Sequence, residues 1–148
     1  MKKLLLPLLL LSLLSGCTDE YRIERKEDRL VGDWVFEKAF YRESGDIFRE
    51  NLLEEYEGDI LSFYRDYTCE YDDRDNRQYF PGDWELFLDH NYFDDEDDIE
   101  FFLDVIFYDR DGRVGFSWNA QVTLLTHERM NLRVPERSGV YTFKLCKR

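Results

Sequence analysis

The chain has few of the groups that most enzymes rely on. Its 148 residues include two histidines, His90 and His127, both in or beside predicted turns, where an imidazole is solvated rather than held as a catalytic base. There is no Gly-x-Ser-x-Gly elbow and no Ser/Lys arrangement of the penicillin-binding kind. No His-Glu-x-x-His and no Cys-x-x-Cys pair offers a zinc ligand set. Carboxylates are so plentiful that any pair chosen from them is no argument for glycoside chemistry. The run Asp94-Asp95-Glu96-Asp97-Asp98 lacks the spaced ligands and the glycine of an EF-hand loop, so it reads as a solvated hairpin tip. Asp109-Arg110-Asp111-Gly112 reads the same way. The expectation is a protein with no catalytic residues, no metal and no cofactor. Basic residues are also scarce: 20 Lys and Arg stand against 33 Asp and Glu, a net charge of −13. A surface that acidic repels phosphates, which excludes nucleic acid as a partner.

One long apolar run exists, and it lies at the start. "MKKLLLPLLLLSLLSG" has two lysines followed by a leucine-rich stretch that suits a secretory h-region and is short for a bilayer span. It ends at Leu14-Ser15-Gly16-Cys17, which resembles the lipobox of bacterial lipoproteins. There the small residues admit the peptidase and the cysteine thiol accepts the lipid. The resemblance implies a signal peptide over 1–16, lipid attachment at Cys17 and a membrane partner reached through that anchor. With no second apolar run, the acyl chains are the membrane anchor. Removing Lys2 and Lys3 makes the mature chain still more acidic. Asp19 and Glu20 resemble the acidic export signals of some Bacteroidota lipoproteins. The expected address is therefore the bacterial outer membrane, on its periplasmic face or at the cell surface.

Residues 17–29 contain the almost wholly charged "TDEYRIERKEDR", which has no apolar period, and read as a tether between lipid and domain that holds at most a transient helix. From residue 30 to 148 the signal is alternation with period two, the mark of half-buried strands. Trp34, Phe36 and Phe40 share a face, as do Leu61 and Phe63, and Trp84, Leu86 and Leu88. Ile99, Phe101, Leu103, Val105 and Phe107 form another series. Val114, Phe116, Trp118, Ala120, Val122 and Leu124 form the longest. Met130, Leu132 and Val134, then Tyr141, Phe143 and Leu145, complete the set. Short turns join them, and Asp111-Gly112 supplies the positive φ that a hairpin needs. Seven or eight sequential strands on short hairpins predict an all-β, antiparallel up-and-down barrel, with a Greek-key sandwich as the alternative. Phe48, Leu52 and Tyr56 in "DIFRENLLEEYEG" predict one short helix within 46–58, with Asp46 as N-cap and a strand hairpin as the other option. Cys69 alternates with Tyr67 and Tyr71, whereas Cys146 shares parity with Thr142 and Lys144, so strand parity argues against a bridge between them.

The triplet Gly-Asp-Trp occurs twice, at 32–34 and 82–84. At each, glycine allows close backbone approach, aspartate faces solvent and tryptophan turns inward. The first copy, within Leu30-Val31-Gly32-Asp33-Trp34, is similar to the entry motif of lipocalins. Leu61–Thr68, Gly82-Asp83-Trp84, the stretch from Val122 to Leu132 and "VYTFKL" resemble the later pieces of the lipocalin-like domain found in lipoproteins of Bacteroidota. Tyr67 departs from that pattern, standing where a turn glycine is expected. The resemblance implies a barrel of about eight strands that binds a small apolar or amphipathic ligand without catalysis. The alternative is a structural or interaction lipoprotein that docks an envelope protein through its loops. Trp34, Phe63, Trp84, Phe101, Phe116 and Trp118 are the candidate barrel-lining residues. They either line a ligand pocket or fill the interior, because eight strands enclose a space that side chains alone can occupy.

Overall fold

The computed structural model describes residues 18–90 and 99–148. Cys17 and the acidic run 94–98 lie outside the described residues. The elements run α1 (Thr18–Leu30), β1 (Gly32–Glu43), β2 (Glu50–Asn51), α2 (Leu53–Tyr56), β3 (Ile60–Phe63), β4 (Thr68–Asp73), β5 (Gln78–His90), β6 (Ile99–Tyr108), β7 (Val114–Leu125), β8 (Arg129–Pro135) and β9 (Gly139–Lys147). From β3 to β9 each strand pairs antiparallel with the next. On its two sides β1 pairs with β3 and β9, which closes an eight-stranded up-and-down barrel. The two-residue β2 is an extra flap on β1.

Alternation predicts the inward face well where strands are regular. Leu103, Val105 and Phe107, then Met130, Leu132 and Val134, then Phe143 and Leu145 are all buried. It fails where a bulge inserts one residue and reverses the parity beyond it. A bulge between Phe36 and Lys38 turns Ala39 inward and Phe40 outward, where the Arg49 guanidinium lies 3.9 Å from the centre of the Phe40 ring. In β7 the ladder is offset at both ends, so Val114 and Leu124 face out and Leu125 is buried in place of Leu124. The helix expected within 46–58 shrinks to Leu53–Tyr56, with no side-chain cap, and Asp46 lies in the loop before β2. Cys69 points inward and Cys146 outward, and both are free thiols.

The stretch read as a tether is a helix. Ile23, Lys26, Glu27 and Leu30 fall at i, i+3, i+4 and i+7 and form the less exposed side of α1, with Leu30 fully buried. Its last carbonyls, which have no intrahelical donor, are met from the barrel: Trp34 Nε1 donates to Leu30 O at 2.7 Å and Lys147 Nζ to Arg29 O at 2.8 Å. The helix α1 is thus packed on the barrel and joined to it by hydrogen bonds. Among the described residues the core cluster runs from Leu30 to Leu145.

The two Gly-Asp-Trp steps share a device. Trp34 and Trp84 are buried, and the Trp84 indole donates to Tyr64 O at 3.1 Å. Asp33 accepts from the Ser62 hydroxyl and Asp83 from the Tyr108 hydroxyl, each at 2.7 Å. Gly32 has φ of 132°, and a Cβ there would meet Lys147 Cε at 2.7 Å. At Gly82 a Cβ would collide with the Ile106 carbonyl and stand 2.9 Å from Cys69 Sγ. Tyr67 keeps the turn geometry despite its side chain: it adopts φ of 65°, and its ring leans on Trp84 with centroids 5.1 Å apart.

Candidate functional site: the ring-filled barrel and the groove beside α1

At the end where β1 finishes, aromatic rings from facing walls meet in the middle of the barrel. Tyr71 on β4 lies 5.8 to 6.4 Å, centroid to centroid, from Phe36, Phe80, Phe107, Phe116 and Trp118 on β1, β5, β6 and β7. Trp118 in turn lies 5.4 Å from Phe143 on β9, so rings bridge the interior from wall to wall. Tyr56 of α2 covers them, 5.0 Å from Phe36 and 5.1 Å from Phe143. Edge-to-face and offset contacts of this kind add about 0.5–1.5 kcal/mol each to the area they bury. One polar pair is set into this wall. The buried Asp59 carboxylate accepts from Tyr71 Oη at 2.5 Å and from the Arg74 N–H at 2.9 Å. Burial pushes the Asp59 carboxyl above its ordinary range, against the pull of those two hydrogen bonds.

The six candidate lining residues therefore divide among three places. Phe116 and Trp118 belong to this ring cluster. Trp34, Phe63 and Trp84 are buried at the opposite end, where Phe63 and Trp84 meet edge-on at 5.8 Å beneath the α1 entry. Phe101 stands apart, half-buried near the start of β6 under α1.

Beside Phe101 the helix leaves a groove of about 260 Å³, lined by Arg22, Arg25, Lys26 and Arg29 of α1 and by Ile99 and Phe101 of β6. The four cations recur at i, i+3, i+4 and i+7, which puts them on one helix face. Lys26 Nζ and Arg29 Nη1 both reach the Leu125 carbonyl at 3.4 Å, and the Lys26 ammonium sits 5.1 Å from the centre of the Phe101 ring. The opposite flank of α1 is acidic: Glu24, Glu27 and Asp28 face Arg65 and Tyr67 across a second hollow, where Arg65 pairs with Asp28 at 3.2 Å and Tyr67 Oη donates to Glu27 at 3.4 Å. From Arg22 to Arg29 the helix thus sorts its charges by sign across its axis. Reading 17–29 as a tether hid this. The signal was present in the spacing of "RIERKEDR", where every basic residue falls on one helical stripe.

Among the described residues no group of three or more His, Cys, Asp or Glu is placed to hold a metal ion. His127 is exposed in the β7–β8 turn, and His90 is the last residue of β5. Burial pushes the Cys69 thiol up to about 12, which leaves it protonated at neutral pH.

No protein-family model matches the chain, and no curated protein matches it either. A solved crystal structure of a lipocalin-like protein from Bacteroides uniformis is similar, at 15% sequence identity and a TM-score of 0.49. That alignment covers 81% of this chain and 99% of the other.

Proposed function

We propose that this chain is a lipid-anchored, non-enzymatic barrel of the bacterial outer membrane that binds a small amphipathic molecule at its helix-capped end. The anchor rests on the order of charge, leucine run and Leu14-Ser15-Gly16-Cys17 in the sequence. The observation that carries the binding reading is the groove beside α1, which joins an apolar floor to a polar rim. The wall-to-wall rings favour that rim over the barrel interior as the place for a ligand. Native mass spectrometry of the 18–148 unit after exposure to a total lipid extract tests the reading. A retained small molecule supports it, and bare protein mass throughout sinks it. The anchor has its own test: labelled palmitate should mark the wild type and not Cys17→Ala, and a labelled variant overturns the assignment.

A second reading has one observation in its favour. Ile47 and Phe48, in the connection between β1 and β2, are 90% and 87% exposed at the end of the barrel away from α1. Such an apolar tip suits a protein partner. A stoichiometric protein that co-purifies with the wild type and is lost with Phe48→Ser favours docking over ligand binding.

A further inference from the structure

We infer that the groove beside α1 is an anion-selective site for a free, single-chain amphiphile. Arg25, Lys26 and Arg29 take its carboxylate or phosphate-monoester head, and Ile99 and Phe101 take its chain. The inference rests on the ligand-binding reading above and adds the sign of the ligand's charge and its source. A chain with a net charge of −13 collects four cations around one groove, with no carboxylate among the described residues that line it. Among the described residues Arg22 has its partner in Asp19, at 3.8 Å, but Arg25, Lys26 and Arg29 meet no carboxylate within ion-pair distance. Their contacts are the Leu125 carbonyl and ring faces, with the Arg25 guanidinium 5.7 Å from the centre of the Tyr21 ring. Burial lowers the Lys26 ammonium below its ordinary value, and repulsion from the neighbouring Arg29 charge lowers it further. An anion relieves that repulsion, and guanidinium forks match the paired oxygens of carboxylate and phosphate.

The floor and the size set the rest of the ligand. Phe101 and Ile99 provide apolar contact below the cations, so a head alone leaves half the groove unused. A volume of about 260 Å³ falls just under the range of roughly 300–1,000 Å³ typical of small-molecule pockets, which suits one short chain rather than a two-chain lipid. That size sets the source as a free single-chain molecule rather than a two-chain bilayer lipid.

Calorimetric titration of the 18–148 unit with decyl phosphate below its micelle concentration tests this, with decanol, decyltrimethylammonium and inorganic phosphate in parallel. Decyl phosphate should bind at least about tenfold more tightly than each of the other three, and added salt should weaken it. Arg25→Glu and Lys26→Glu should each lower its affinity about tenfold, while Arg25→Lys and Glu24→Lys on the other flank keep binding within a few fold. Circular dichroism and the melting temperature of each variant separate lost binding from lost fold. Decanol binding as tightly as decyl phosphate, or Arg25→Glu binding like the wild type, overturns anion selectivity while leaving the broader ligand-binding reading intact. Failure of both decyl phosphate and decanol overturns both readings. Co-sedimentation with phosphatidylglycerol vesicles, lost in Lys26→Glu and without decyl phosphate binding, overturns the free-molecule source in favour of a bilayer headgroup.

Discussion

The two Gly-Asp-Trp steps are identical in sequence and nearly identical in hydrogen-bonding plan, yet they rest on different surroundings. Each tryptophan is buried with its indole N–H on a backbone carbonyl, and each aspartate takes a hydroxyl. The first step joins two elements. Trp34 reaches back to the last carbonyl of α1, and Lys147 lies both on Arg29 O and 5.1 Å from the Trp34 ring centre. The second joins neighbours in one sheet, where Gly82 lets the Ile106 carbonyl and the Cys69 thiol come close. One triplet therefore serves as a staple for a helix at one place and as a spacer between strands at the other. What a motif does is set by what stands opposite it.

The glycines separate the two steps most sharply. Gly82→Ala sets a methyl against a backbone carbonyl that cannot swing away, and it should cost about 3 kcal/mol in urea unfolding. Gly32→Ala meets only the flexible Lys147 side chain but strains a positive φ, and should cost about 1–2 kcal/mol. The reverse order would break the comparison. Next come the indoles. Trp34→Phe leaves the Leu30 carbonyl without a donor at a buried helix end and should cost about 2 kcal/mol, with α1 amides exchanging faster. Trp84→Phe should cost about 1 kcal/mol, because the Tyr64 carbonyl keeps the Tyr67 N–H at 3.2 Å. Equal losses, or faster α1 exchange in Trp84→Phe, would show that the first tryptophan has no special hold on the helix.

Smaller effects come from the aspartates. Asp33→Ala removes the partner of the buried Ser62 hydroxyl and should cost about 1 kcal/mol, more than Asp83→Ala, whose partner Tyr108 is exposed enough to turn to water. The smallest effect is a titration. The hydrogen bond to Asp83, then burial, holds the Tyr108 phenol above the ordinary value of 10.0. A phenol raised in the fold favours folding below its unfolded pKa and loses that contribution as pH climbs through the folded value, so its share disappears only above about pH 10. Absorbance titration of Asp83→Asn should bring Tyr108 down toward an ordinary tyrosine; an unmoved curve would detach the hydroxyl from the step.

Much of the barrel was legible because its regular strands write their burial at period two, as Leu103, Val105 and Phe107 do. Local geometry hid the remainder. Phe40 and Leu124 read as core residues, but one inserted residue in each strand turns them out and brings in Ala39 and Leu125. In β1 the polar pair Glu37-Lys38 breaks the alternation at the insertion, whereas in β7 nothing announces it, since Leu124 and Leu125 are both apolar. The helix α1 reads as at most transient in the sequence for a different reason. Its buried side is built from Ile23, Leu30 and the aliphatic stem of Lys26, and a charged head conceals a stem that covers apolar surface. Reading it as a tether hid the groove. Tyr67 shows the converse, where an unexpected residue changes no geometry because its ring packs on Trp84 and holds the left-handed turn.

The seam between β1 and β9 has a consequence for how the molecule reaches its fold. Lys147 and Arg29 meet although they lie 118 positions apart, and β1 is paired with β9 along nearly its whole length. Bringing such distant segments together has to precede any gain from their contact, so closure of the ring is expected to be the slow event. Until it happens, the meander from β3 to β8 can zip by short hairpins while one long side of β1 and the matching side of β9 stay open. Those two open sides are complementary, within one copy or between two. Crowded, half-folded chains would therefore face a choice between sealing themselves and exchanging their ninth strand, and dilution should favour the monomer.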